Sequence, residues 1–289
     1  MQKFTFINAN NESVVLKNSG PYVVEDVSGL GDVESNIQSQ KAPDQDGDTY
    51  TGSNLEPRYI SFDINIIGLG RADTIQKRTK LGRMFNPTLG PGMLIVENEM
   101  GVREIKAVSE HVPKYPQSRG NKGATFQKAL IHLKAPNPYW LEREKKEQLV
   151  VWEGGLEFPL SLPTYFAQQS ENKAKILQNE GEVPTPVRIV FNGPATAPIR
   201  IINVTTGDFI EVNQSLTENE RLEINTTPGQ KSVRKIQGSG ESWNAFHFIH
   251  LGSTFFRLIP GNNLLDYSTG ADYERAAVSI SWNNRFTTV

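Results

Sequence analysis

Alternation of apolar and polar positions is clearest between Arg58 and Ile67. Ile60, Phe62, Ile64 and Ile66 share one face and Ser61, Asp63 and Asn65 share the other, which predicts a half-buried strand. Gly68-Leu-Gly70 follows, and then a helical pattern from Asp73 to about Phe85. Ile75, Leu81 and Phe85 fall on one stripe of it, with Arg78 inside the same arc. Asp73 is expected to cap this helix, with Gln76 where a capping box places a Glu or Gln. Asn86-Pro87 stops it, because the residue before a proline avoids helical angles. A second apolar run, Met93–Val96, completes a strand, helix, strand unit.

The rest of the chain arranges itself around that unit. Residues 1–27 read as two short strands, near Phe4–Ile7 and Val14–Leu16. Residues 28–58 are long, polar and dotted with glycine, and they lack a core pattern. With Asp46-Gly47 as a hairpin turn, they read as an extended arm projecting from the domain. Arg103–Val108 and Ala124–Ala135 read as further strands. Pro136 and Pro138 cannot sit in a central strand, so the first domain is expected to end near residue 140. Residues 141–149 read as a short charged linker. From 150 to 289 the pattern is nearly all β, with strand-like runs at Val187–Phe191, Ile199–Val204, Phe209–Val212, Leu222–Ile224, Val233–Ile236, Phe255–Ile259 and Ala277–Trp282. Short, turn-separated strands of this kind predict a β-sandwich. The fold class expected is therefore mainly β, with one helix in the first domain.

Composition narrows the function classes. The chain has 289 residues, no cysteine and a formal net charge of −2. Disulfides and thiolate metal sites are excluded, and nothing in the charge calls for nucleic acid or an anionic membrane. No stretch reaches the ~18 apolar residues of a membrane span, no signal peptide is read at the start, and the lack of cysteine suits synthesis in a reducing cytosol.

Candidate chemistry falls away on inspection. Gly68-x-Gly70 opens like a dinucleotide fingerprint, but Asp73 stands where the third glycine belongs and would face a pyrophosphate. Asp44-x-Asp46-x-Asp48 suggests calcium, yet Thr49 and Leu55 occupy the positions of the required Gly and Glu. His111, His132, His247 and His250 assemble no zinc set, and the last two are expected on opposite faces of a strand. The acids Glu142, Glu144 and Glu147, and Glu218, Glu220 and Glu223, read as solvated faces. Trp152, Trp243 and Trp282 read mainly as core or interface residues. No catalytic, cofactor-binding or metal-binding residue is predicted, and no enzyme.

The order of features resembles the distal tail protein family of siphophages and related prophages. In the first half the resemblance rests on Arg58–Ile67, the helix with Arg78 and Leu81, Asn86-Pro87, the strand beginning Gly92-Met-Leu-Ile, and Ala135-Pro-Asn-Pro-Tyr139. In the second half it rests on Asn179-Glu-Gly-Glu-Val-Pro-Thr-Pro186, Ile202-Asn-x-Thr-Thr-Gly207, Leu222-Glu-Ile-Asn-Thr-Thr227 and Phe255-x-x-Leu-x-Pro-Gly-Asn262.

The resemblance implies a structural component of the virion tail tip or baseplate. It implies a homo-hexamer whose β-barrel-like N-terminal domain makes a ring, with the hairpin arm clasping a neighbour. It implies a galectin-like C-terminal sandwich, and as partners the tail tube protein, the tail-tip protein and, in some members, a receptor-binding protein. Asn225 departs from an Asp found in many members. The galectin sugar-binding run His-x-Asn-x-Arg is absent, since His247 and His250 both fail it, and no tryptophan is followed at +3 by Glu. A carbohydrate-binding module that reads the host cell wall is the alternative function.

Overall fold

The structure is a computed structural model that describes residues 2–149, 152–153, 168–169, 174–271 and 277–289. The chain divides into two units, Met1–Arg143 with Phe286–Val289, and Glu144–Arg285. The second unit is thus inserted into the sequence of the first. The last four residues, expected in the sandwich, belong to the first unit.

The first unit contains β1 (Lys3–Ile7), β2 (Ser13–Lys17), β3 (Tyr22–Ser28), β4 (Ser35–Gln40), β5 (Thr49–Leu55), β6 (Arg58–Ile67), α1 (Arg71–Met84), β7 (Gly92–Asn98), β8 (Gly101–Ser109), β9 (Phe126–Ala135) and β10 (Trp140–Leu141). Neighbour pairings run β8-β7-β1-β2-β3-β6-β9, and β9 pairs back onto β8, so seven strands close into a barrel. β6 and β9 supply the longest seam, from Arg58↔Ala135 to Ile67↔Phe126. Alternation explains the core: Phe4, Phe6, Leu16, Ile60, Phe62, Ile64, Ile66, Leu94, Val96, Ile131 and Leu133 all point inward. Phe4 meets Phe62 edge-on at 5.0 Å, and Phe6 stacks on Phe85 at 4.6 Å.

The helix differs from its expected form. It starts at Arg71 rather than Asp73, and Gly70 occupies the N-cap without a side-chain bond. Asp73 sits inside the first turn, where it accepts from the Leu69 N–H at 2.8 Å and from the Lys77 ammonium at 2.7 Å. Lys77 first, and then the Leu69 N–H, hold its carboxyl below the ordinary range. Ile75 is exposed, while Thr74, Leu81 and Met84 are buried. A side chain at Gly68 would collide with Thr74, which accounts for the glycine without any nucleotide. Tyr22 and Tyr115 tie the helix down by donating to the carbonyls of Lys77 and Arg78, at 3.1 and 2.9 Å. Burial pushes the Tyr115 phenol up to about 12, so this donor keeps its proton at ordinary pH.

The second unit contains β11 (Lys145–Gln148), β12 (Trp152–Glu153), β13 (Gln168–Gln169), β14 (Lys175–Asn179), β15 (Thr185–Pro186), β16 (Arg188–Asn192), β17 (Ile199–Asn203), β18 (Asp208–Val212), β19 (Glu220–Asn225), β20 (Ser232–Gln237), β21 (Ser242–Asn244), β22 (Arg257–Leu258), β23 (Gly261–Ser268) and β24 (Ala277–Trp282). β25 (Arg285–Phe286) carries the chain back to the first unit. A six-stranded sheet, β11-β24-β16-β19-β20-β21, and a four-stranded sheet, β14-β23-β17-β18, share one core. Phe191 of one meets Tyr267 of the other edge-on at 6.1 Å. Trp140, just before the expected linker, is fully buried, and within the linker Lys145–Gln148 is an edge strand paired with Ser279–Trp282.

Loops of the sandwich are pinned by buried asparagines. Asn263 is fully buried; it accepts from the Ile259 N–H at 2.9 Å and donates to the carbonyls of Ile259 and Gly261. Asn203 also donates to it, at 3.2 Å. Asn179 donates to the carbonyls of Val183 and Leu258 and accepts from Gly181 N–H. Replacing Asn263 by alanine leaves several buried groups unpaired. A loss of about 2–3 kcal/mol is expected, read as an earlier urea transition of the second unit with the first unchanged.

Candidate assembly interface

Among the described residues β4 and β5 pair only with each other, from Ser35↔Leu55 to Gln40↔Thr49, with a register shift between Gln38 and Ser39. Every residue of β4 is exposed. Ile37 and Tyr50 are 65% and 64% exposed, high values for large apolar side chains. The tip is held by local polar bonds: Ser39 to Asp48 at 3.1 Å, Gln45 to Thr49 at 3.1 Å, and Gln45 Oε1 accepting the Ala42 N–H at 3.0 Å. This hairpin is the expected arm. Its strands span 35–55, inside the expected 28–58, because Tyr22–Ser28 is a barrel strand and Arg58 begins another.

Two hydrogen-bonding side chains root the arm. Arg58 is 1% exposed, and among the described residues it makes no ion pair. Its guanidinium donates to the carbonyls of Pro138 at 2.8 Å, Gly29 at 2.9 Å, and Thr287. One planar fork therefore joins the start of the arm, the end of β9 and the C-terminus. Burial lowers the Arg58 pKa, and nearby Asp32 opposes that shift. Trp140 donates its indole N–H to the Leu30 carbonyl at 2.9 Å. Gly29 lies at φ +84°, and a side chain there would strike the Tyr59 carbonyl, so glycine is required.

The signal for Arg58 was its parity. It lies on the same face as Ile60, Phe62, Ile64 and Ile66, so alternation alone marked it as inward.

Other candidate residues stay apart or take structural roles. His111 and His132 meet at 5.0 Å, a pairing not visible in the sequence. His247 lies in a 3-10 turn rather than a strand, and His250 accepts from the Gly252 N–H in the following loop. Among the described residues no group of three or more histidines and carboxylates could hold a metal. Asp44 takes φ +58° in the arm tip, a turn conformation. Glu220 and Glu223 are not freely solvated: Glu220 pairs with Lys235 at 2.8 Å, and Glu223 with Arg188 at 2.7 Å. Trp282 is buried, Trp243 is partly exposed beside Lys235, and the Trp152 side chain lies outside the description. Among the described residues no helix is long and apolar enough to cross a membrane.

Comparison with known proteins fits this architecture. Residues 9–135 match the family described as phage tail protein RIFT-related domain. Residues 180–286 match the siphovirus-type tail component, C-terminal domain. The chain belongs to the siphophage distal tail protein family. Among solved structures it is similar to the Dit protein of phage SPP1, described as a paradigm of hub adsorption apparatus in phages infecting Gram-positive bacteria. That match has a TM-score of 0.68 at 12% identity and covers 99% of both chains. It is also similar to the phage p2 baseplate in its activated conformation with strontium, with a TM-score of 0.52 at 11% identity over 97% of this chain and 98% of that one. The calcium form matches with a TM-score of 0.52 at 12% identity, over 97% of each chain. No curated protein matches. The family and its structural neighbours are tail and baseplate proteins rather than enzymes, which places this chain in the virion tail as a structural component.

Proposed function

We propose that the arm joins copies of this chain head to tail into a closed ring at the tail tip. The carrying observation is the arm itself: a two-stranded hairpin whose two edges are unpaired among the described residues, with apolar Ile37 and Tyr50 exposed. Such a hairpin is marginally stable alone, and free edges invite a further strand. The barrel closes on itself, so its strands offer little comparable edge. A neighbour's backbone can complete the arm by strand addition, and a heterologous contact of this kind closes into a ring when its rotation divides the circle. Six-fold closure rests on the family resemblance. So do the tail tube protein on one side, the tail-tip protein on the other, and receptor-binding proteins held by the outer sandwich. Synthesis in the host cytoplasm without a signal peptide belongs to the same reading.

The carbohydrate-binding alternative is not favoured, since the relatives are assembly components. Deleting Ile37–Thr51 is expected to leave folded monomers where the full chain assembles. The comparison belongs at high protein concentration, by light scattering and electron microscopy. Normal assembly of the deletion would place the ring contacts elsewhere and end this reading.

A further inference from the structure

Charge is distributed unevenly in the first unit. Between residues 31 and 57 the arm carries six acids, Asp32, Glu34, Asp44, Asp46, Asp48 and Glu56, against one base, Lys41. α1 carries the reverse: Arg71, Lys77, Arg78, Lys80 and Arg83 against Asp73. Both segments stand out from a chain whose net charge is only −2. Among the described residues, none of the six arm acids makes an ion pair.

The helix is only partly neutralised within its own chain. Lys77 pairs with Asp73 at 2.7 Å and Arg83 with Glu12 at 3.0 Å. Arg71 and Lys80 are exposed and make no ion pair among the described residues. Two open clefts flank the helix. One is lined by Arg71, Arg78, Lys122 and Gln127, and the other by Gln76, Lys77, Lys80 and Arg83. Ile75 adds an exposed apolar contact on the first. Lengths also agree. The six-residue β4 spans about 20 Å at ~3.3 Å per residue, and the fourteen-residue helix spans about 21 Å at ~1.5 Å per residue.

We propose that the α1 face and its two clefts are the landing surface for the arm of a second copy of this chain. Resting on the ring reading above, this names what one face of the arm lies on, while its edges stay free for strand addition to the same neighbour. Ile37 and Tyr50 supply apolar contact, and the acids of the arm face the bases of the helix, Arg71 at one cleft and Lys80 at the other. Complementary charge at such a rim speeds the encounter and fixes the register, and salt weakens it. The acidity of the arm also keeps free arms from pairing with one another, because like-charged edges repel.

A charge swap in the full chain tests this. Asp46→Lys with Asp48→Lys, and separately Arg71→Glu with Lys80→Glu, are each expected to weaken assembly at 50 mM salt by about tenfold or more. Combining all four is expected to recover most of the loss. All six positions considered for substitution or contact, Ile37, Tyr50, Asp46, Asp48, Arg71 and Lys80, are exposed, and unchanged circular dichroism and melting check the fold. Charge removal by Asp46→Asn with Asp48→Asn gives a second reading and is expected to flatten the salt dependence of assembly. Single sets that assemble like the parent chain, or a fourfold variant no better than the worse single set, would overturn the proposal. If arm deletion blocks assembly while the swaps change nothing, the landing surface alone is wrong. If arm deletion also assembles normally, the ring reading falls with it.

Discussion

Arg58→Ala is expected to cost the first unit about 3–5 kcal/mol. Three carbonyls, those of Gly29, Pro138 and Thr287, lose their common donor at once. Each buried acceptor left unpaired costs roughly 1–3 kcal/mol, and water entering the cavity recovers part of it. Lysine is no substitute, because a single ammonium cannot span three carbonyls set in a fork. The effect should also be directional. The arm root at Gly29 and Leu30 should loosen, so the Glu56 N–H, which donates to the Glu34 carbonyl at 2.8 Å, should exchange faster than before. Urea denaturation read by hydrogen exchange checks both parts. A variant with unchanged unfolding of the first unit would show that Arg58 only fills space.

The second large effect concerns the chain end. Removing Phe286–Val289 is expected to destabilise the first unit by about 4 kcal/mol, although these residues follow the whole second unit in sequence. Phe286 is buried, and the Arg103 guanidinium lies 3.7 Å from its ring centroid. The Thr287 carbonyl accepts from Arg58, and the Thr288 carbonyl accepts from Arg103. Val289 packs against the same core. A fragment ending near residue 140 therefore lacks part of its own fold. Restoring the four residues through a Gly-Ser linker after Arg143 should return the lost stability in a thermal melt. Equal melting of the fragment with and without the tail would contradict this.

The sequence revealed what one-sided burial writes into a pattern. β6 was plain because its inward positions are uniformly apolar from Ile60 onward. β3 was not, because Glu25 and Asp26 interrupt it at a register shift and its pairing with β2 is a single parallel contact. β11 escaped because Lys145–Gln148 lies at a sheet edge, held by its backbone, with mostly exposed side chains. β23 escaped because its buried face reads Asn263, Leu265, Tyr267, and a satisfied buried asparagine looks like a loop residue. The arm was legible by exclusion, as polar chain too long for a turn. Its root was not, because a charged residue is assumed to be solvated unless parity is followed strictly. The return of the chain end to the first unit left no local mark, since such a contact is fixed only by the assembled fold.

The central claim is that the arm makes a ring from identical chains, and the mass of the assembled particle tests it most directly. Native mass spectrometry of the full protein at high concentration should show a species of six chains of 32.2 kDa each, replaced by single chains when Ile37–Thr51 is removed. A protein that stays monomeric at every concentration, or one whose assembled mass is the same without the arm, would contradict the account.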